Sequence, residues 1–171
     1  MTYKESLTQS MALLAQQPKS VFIGYNLQYG SRSYGTMKDV PDSSIVEMPV
    51  AEALMAGMST GLSLGGYQPV LIFERHDFTL LALDQLVNHL DKITVMSRGE
   101  FKPKVIVRAT VGGIKPFHPG PQHIQDFTDV YRKLFTFPVV SLIRSNQIIE
   151  EYKKAMVRDI STLLVDYREL Y

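Results

Sequence analysis

Cysteine is absent from all 171 residues. That absence excludes disulfides, thiolate metal sites and a cysteine nucleophile. An excess of charge of either sign is also missing: 18 Lys and Arg against 17 Asp and Glu leave a formal charge of +1. Nucleic acids and anionic membranes attract a basic face, so neither is expected as a partner. No stretch approaches the ~18 apolar residues of a membrane span. The N-terminal MTYKESLTQS has no hydrophobic signal core, and a cytoplasmic location is expected. Gly-x-Ser-x-Gly elbows, phosphate loops and dinucleotide fingerprints are all missing. There is no internal repeat, low-complexity tract or linker. What remains is a chain 45% apolar and 20% charged, enough for one full core and one domain over 1–171.

The apolar pattern alternates strand and helix. Thr2 with Glu5 forms a capping box, and Leu7, Met11 and Leu14 at helical spacing predict a helix over 2–16. Short apolar runs predict strands at 21–24, 45–48, 69–73, 104–108, 139–143 and 162–165. Between them, helices are predicted over 51–65, 77–97, 124–135 and, capped by Ser145, 146–159. A Gly-, Ser- and Tyr-rich loop fills 25–44, and a Gly/Pro-rich loop 112–121. Apolar strands alternating with helices predict an α/β fold: a three-layer α/β/α domain on a mainly parallel six-stranded sheet.

Ligands of such sheets bind beyond the carboxyl ends of the strands. Three loops there carry unusual residues. Glu52 stands in the first turn of a helix just past a strand end; an acid facing the helix dipole on the surface would explain it equally well. Gly57, Gly61 and Gly65 share one face of that helix. Each costs about 1 kcal/mol against Ala, which suggests close approach by another helix of this domain or by another subunit. Arg75, His76, Asp77 and Phe78 follow the third strand, where Arg75–Asp77 could be a surface ion pair and Asp77 a helix cap. His118 and His123 lie five apart in the loop after the fourth strand. Without cysteine, too few ligands remain for a metal site, and none is expected. A histidine at a helix start in that loop suits proton transfer better.

Together these loops resemble the pyrimidine-binding domain of thiamine-diphosphate enzymes of the transketolase and 2-oxo-acid dehydrogenase type, most of all the β subunit of the dehydrogenase first component. The likeness spans nearly the whole chain and is densest from Ile45 to Leu142. It rests on Glu52-x4-Gly57, on Phe73-x4-Phe78 followed by Leu83–Asp84–Gln85–Leu86–Val87–Asn88, and on Arg108, Gly112–Gly113 and Gly120–Pro121–Gln122–His123–Ile124–Gln125.

The resemblance implies that Glu52 hydrogen-bonds N1′ of the cofactor's aminopyrimidine, favouring its imino tautomer and so activating the thiazolium carbon. It implies that Phe78 stacks on the pyrimidine and that His123 handles a proton at the substrate carbonyl. Arg75, His76 and His118 are then candidates on the substrate side, and His89 is structural. The family's diphosphate and Mg²⁺ are held elsewhere through Gly-Asp-Gly, which this sequence lacks. The family's β subunits also continue into a further domain. The expected function is therefore the pyrimidine-binding subunit of a split thiamine-diphosphate enzyme acting on a 2-oxo acid or ketose. Its partner would be an α-like, diphosphate-binding subunit, in a heterotetramer, with homodimerisation of the chain alone as the other assembly. The competing expectation is an inactive or regulatory homologue that kept the fold and binds a partner.

Overall fold

The computed structural model describes residues 1–115 and 118–171; Pro116 and Phe117, inside the expected Gly/Pro-rich loop, lie outside the described residues. Helix α1 (Tyr3–Ala15) leads to β1 (Ser20–Gly24), and a long loop leads on to β2 (Ile45–Glu47). Then come α2 (Glu52–Leu64), β3 (Gln68–Phe73), a 3-10 helix (His76–Ala82), a π-helix (Gln85–Leu90) and α3 (Ile93–Met96). β4 (Ile106–Val111), α4 (Thr128–Leu134), β5 (Val139–Ser141), α5 (Ser145–Val157) and β6 (Thr162–Tyr167) complete the chain. The capping box at Thr2 is present, Glu5 N donating to Thr2 Oγ1 and Thr2 N to the Glu5 carboxylate.

All six strands lie in one sheet in the order β2–β1–β3–β4–β6–β5, and every neighbouring pair is parallel. Period-two alternation explains why it is covered on both faces. Phe22, Val70, Ile72, Ile106 and Leu164 point to the side of α1 and α5, meeting Leu7, Met11, Leu14, Ile148 and Tyr152. Ile23, Leu71, Phe73, Val107, Ala109 and Val165 point the other way, onto Met55, Ala56, Leu86, Leu90, Tyr131 and Phe135. Burying each such side chain contributes about 1.5–3 kcal/mol, which fixes strand register, since a one-residue slip would turn all of them over.

Three expected elements differ from those observed. The single helix over 77–97 is broken into 3-10, π and α pieces. In the π piece Asp91 N donates to Leu86 O, while the buried Asp91 carboxylate turns inward to accept from Thr136 N and Oγ1 at 2.9 and 2.7 Å. Residues 124–127 are not helical, because Asp126 accepts from Thr128 N at 2.9 Å and Gln125 is drawn to Asp77; His123 closes a short 3-10 turn (Pro121–His123) and does not open a helix. Ser145 is the first residue of α5, whose N-cap is Arg144, with no capping side chain.

Because all strands run the same way, their carboxyl ends share one edge. The loops leaving β1 and β3 diverge there, β1 leading outward to β2 and β3 across to β4. Such a switch point opens a crevice.

Candidate active site

Glu52 is the first residue of α2, at the carboxyl edge, and only 4% exposed. It is no surface dipole cap. Its Oε1 is buried without a hydrogen-bond partner among the described residues. Nearby, at the end of β1, the Tyr25 hydroxyl is also buried and unpartnered. Burial pushes the Tyr25 hydroxyl's pKa up, and the Glu52 charge adds to the rise. The two groups are close enough to feel each other, yet fall short of hydrogen-bonding geometry. A buried carboxylate oxygen costs free energy unless something donates to it. Glu52 Oε1 is thus left able to accept a hydrogen bond.

The loop after β1 forms one wall. Glu47, the last residue of β2, accepts from the backbone N–H groups of Asn26, Leu27 and Gln28 at 2.6, 2.9 and 2.8 Å. Glu74, just past β3, accepts from Asn26 Nδ2 at 2.8 Å and from the Ser31 hydroxyl. Arg32, Ser33 and Tyr34 all have positive φ (45°, 41° and 58°), a conformation costing non-glycine residues of order 1–3 kcal/mol each. The strained run presents the Tyr34 ring to two guanidinium groups, Arg75 at 5.3 Å and Arg168 at 4.8 Å from its centroid. Neither arginine has a carboxylate partner among the described residues. Arg75 and Asp77, which could have paired on the surface, do not form an ion pair.

Phe78 is half-buried, and the His123 ring stands edge-on to it, centroids 5.4 Å apart. His123 Nδ1 is buried and unpartnered among the described residues. The His123 carbonyl lies against Gly112: a Cβ at that position would overlap the oxygen and stand 2.9 Å from the carbonyl carbon. Only glycine admits the His123 segment there. His118 is exposed, its Nδ1 accepting from Gly120 N at 3.0 Å. His76 is wholly buried against Phe127 and Tyr131, so it is not an open substrate-side group; its Nδ1 accepts from Phe127 N at 3.4 Å. Asp77 is neither cap nor surface ion-pair member, because its carboxylate bonds to Gln125. Exposed His89 lies 3.5 Å from Asp84, on its own helical segment. Asp77 and Arg168 also lie just past strand ends, on the edge where such a sheet binds its ligands.

Burial pushes His76 below the ordinary histidine range, against the opposing pull of Asp126, Asp77 and Asp166. A lowered histidine pKa stabilises the fold above the unfolded value of about 6.5, and that contribution is lost as pH falls from there through the lower folded value. The urea midpoint should therefore drop as pH is lowered below about 6.5, and His76→Gln should flatten that drop. An unchanged pH dependence in the variant would show that His76 does not carry it.

The glycine face of α2 is open at one position. A Cβ at Gly57 would press on the Gln85 side chain of the neighbouring π-helix, its Oε1 at 3.2 Å, and one at Gly65 would stand 3.3 Å from Leu62 O, whereas one at Gly61 would meet nothing within 4 Å. Leu54 and Leu64 on this helix, with Val50 before it and Leu81 beyond, are exposed. Among the described residues no group of three acidic, histidine or cysteine side chains could hold a metal ion, and no helix is long and apolar enough to cross a membrane.

No family model matches the chain. Among curated proteins, the pyruvate dehydrogenase E1 component subunit beta, mitochondrial, of Saccharomyces cerevisiae is 30% identical over 136 residues, covering 77% of this chain and 37% of that protein. Its Chaetomium thermophilum counterpart is 29% identical over 176 residues, covering 99% and 45%. The Rattus norvegicus one is 25% identical, covering 100% and 48%. The chain thus spans less than half the length of these relatives. Solved structures share its fold, among them the following two. A chain described as "Split gene transketolase, inactive beta4 tetramer" gives a TM-score of 0.75 at 21% identity, covering 98% of this chain and 52% of that one. Transketolase from Campylobacter jejuni gives 0.79 at 15% identity, covering 98% and 26%.

Proposed function

From the premise that this chain is a homologue of the pyruvate dehydrogenase first-component β subunits, with the fold of a transketolase-type pyrimidine domain, we propose that it supplies the pyrimidine-binding half of a thiamine-diphosphate site. The observation that carries this reading is the buried, unpartnered Glu52 Oε1 at the carboxyl edge of the sheet. Thiamine diphosphate, when bound, supplies a carbon nucleophile that adds to a carbonyl beside the bond being cleaved or formed. The residues fit that group. Glu52 holds a proton at the pyrimidine nitrogen, in a dry pocket where the interaction is strong. Phe78 offers a flat apolar face to a ring. His123 moves a proton at the substrate carbonyl.

Arg75 and Arg168, stacked on Tyr34 and free of carboxylates among the described residues, suit the anionic end of a 2-oxo acid or sugar phosphate. Exposed His118 stands at the rim of the same edge. The diphosphate and Mg²⁺ fall to a partner, because the chain has no Gly-Asp-Gly. The open Gly61 face of α2, rimmed by Leu54 and Leu64, is where a partner helix would pack.

Two measurements test this. A Gly-Asp-Gly-bearing α-like subunit, mixed with this chain, thiamine diphosphate and Mg²⁺, should turn over a 2-oxo acid or ketose; turnover by neither substrate class would refute the reading. In that mixture Arg75→Ala should raise KM for the anionic substrate about tenfold or more, with kcat changed less. An unchanged KM would remove Arg75 from the substrate side.

A further inference from the structure

Two consecutive side chains on the turn after β3 hold the backbone that carries His123. Asp77 Oδ1 accepts from Gln125 N at 3.2 Å and from Gln125 Nε2 at 3.0 Å. His76 Nδ1 accepts from Phe127 N at 3.4 Å. Residues 124–127 belong to neither helix nor strand, so regular structure leaves the N–H groups of Gln125 and Phe127 unclaimed. On the other side, the His123 carbonyl is pressed onto Gly112. The segment is thus pinned at three successive points: Gly112 at His123, Asp77 at Gln125 and His76 at Phe127.

These contacts are energetically expensive to build. His76 is 0% and Asp77 5% exposed. His76 Nε2 and Asp77 Oδ2 are both buried without partners among the described residues. Two adjacent apolar residues would fill the same space without the desolvation cost. What a polar pair provides instead is direction, since hydrogen bonds fix where the held backbone lies. An accepting Nδ1 also sets the neutral imidazole as the Nε2–H tautomer. Asp126, with Nδ1···Oδ1 at 3.6 Å, Asp77 and Asp166 are the charges that bear on this ring. Phe127 and Tyr131 supply its aromatic walls.

We propose that His76 and Asp77 form a positioning clasp that sets the location of the His123 ring against Phe78. Neither touches substrate. The clasp rests on the reading of His123 as a site residue, and it adds the two groups that place that ring.

The test uses the chain's four histidines. Ring ¹H–¹⁵N spectra of the full chain are assigned with single His→Gln variants, then recorded for Asp77→Ala, Asp77→Asn and Gln125→Ala. Asp77→Ala should shift or broaden the His123 signals, leaving His89 and His118 unmoved. Asp77→Asn keeps an accepting carbonyl and should restore most of the wild-type spectrum. Gln125→Ala removes only one arm from an exposed residue and should shift His123 in the same direction by less, a reading that survives if Asp77→Ala fails to fold. In the assembled enzyme Asp77→Ala should lower kcat about tenfold to a hundredfold with little change in KM. His123 signals unchanged in the folded Asp77→Ala and Gln125→Ala chains would overturn the clasp. Full activity of His123→Gln, with the spectral shifts present, would instead refute the catalytic reading of His123 and leave the clasp standing.

Discussion

Glu52→Gln should leave the chain folded and lower kcat of the assembled enzyme by about 10²–10⁴-fold, the range of a lost acid–base contribution. The substitution conserves shape in a pocket where Glu52 is buried and its Oε1 makes no hydrogen bond among the described residues, so the thermal midpoint should move by only a few degrees. An amide still offers a lone pair. It does not carry the charge that stabilises a proton at the facing nitrogen, and near the buried Tyr25 hydroxyl no solvent replaces it. Cofactor affinity should fall much less than kcat, because the proposed stacking on Phe78 and the proposed partner's contacts would be kept. Steady-state kinetics with calorimetric titration separates the two. A variant with normal kcat would remove Glu52 from the chemistry.

The largest effect on stability is expected at Asp166. In β6 it is wholly buried against Arg108 of β4, Arg108 Nε donating to Asp166 Oδ2 at 2.7 Å. The same guanidinium donates to Thr36 Oγ1 and to the Tyr171 hydroxyl, both at 2.8 Å, and that hydroxyl donates to Asp166 Oδ1 at 2.7 Å. Burial pushes against the Arg108 charge, and the Asp166 carboxylate more than offsets it, holding the guanidinium well above its ordinary pKa. Asp166→Ala strands that cation inside the core, a change that costs about 3–5 kcal/mol. Urea unfolding should show it as a lowered midpoint with an unchanged slope. Tyr171→Phe removes one hydroxyl from the network and should cost about 1–3 kcal/mol. A loss at Asp166 no larger than that at Tyr171 would contradict the assignment of Arg108 and Asp166 as the core's charged pair. Thr36 ties this network to the loop that presents Tyr34, so the core pair also supports the wall of the site.

Much of this was legible in the residues themselves. The strand runs Val21–Gly24, Pro69–Phe73 and Leu163–Val165 are free of polar side chains because both sheet faces are covered, and the parallel sheet follows from their alternation with helices. Glu52, Phe78 and His123 all lie in segments that follow strand ends, but it is the family resemblance, and not their position alone, that singles them out. Other features depend on partners remote in sequence. Leu80 to Ile93 carry a helical stripe, yet Asp91 answering Thr136 imposes a π turn that periodicity does not encode. Arg108 finds Asp166 across 58 residues, and Asp77, which reads locally as a cap, is claimed by Gln125 across 48. The helical pattern over 124–135 loses its first turn for the same reason. Local propensity yields wherever a long-range side-chain bond satisfies a buried polar group.

The most direct test of the central claim is the rate of deuterium exchange at C2 of thiamine diphosphate, measured by proton NMR with Mg²⁺ and the mixed subunits. Exchange should be fast with wild-type chain and partner together, and should fall to the solvent rate with either subunit alone or with Glu52→Gln in the mixture. Equal exchange rates for the wild-type and Glu52→Gln mixtures would contradict the account.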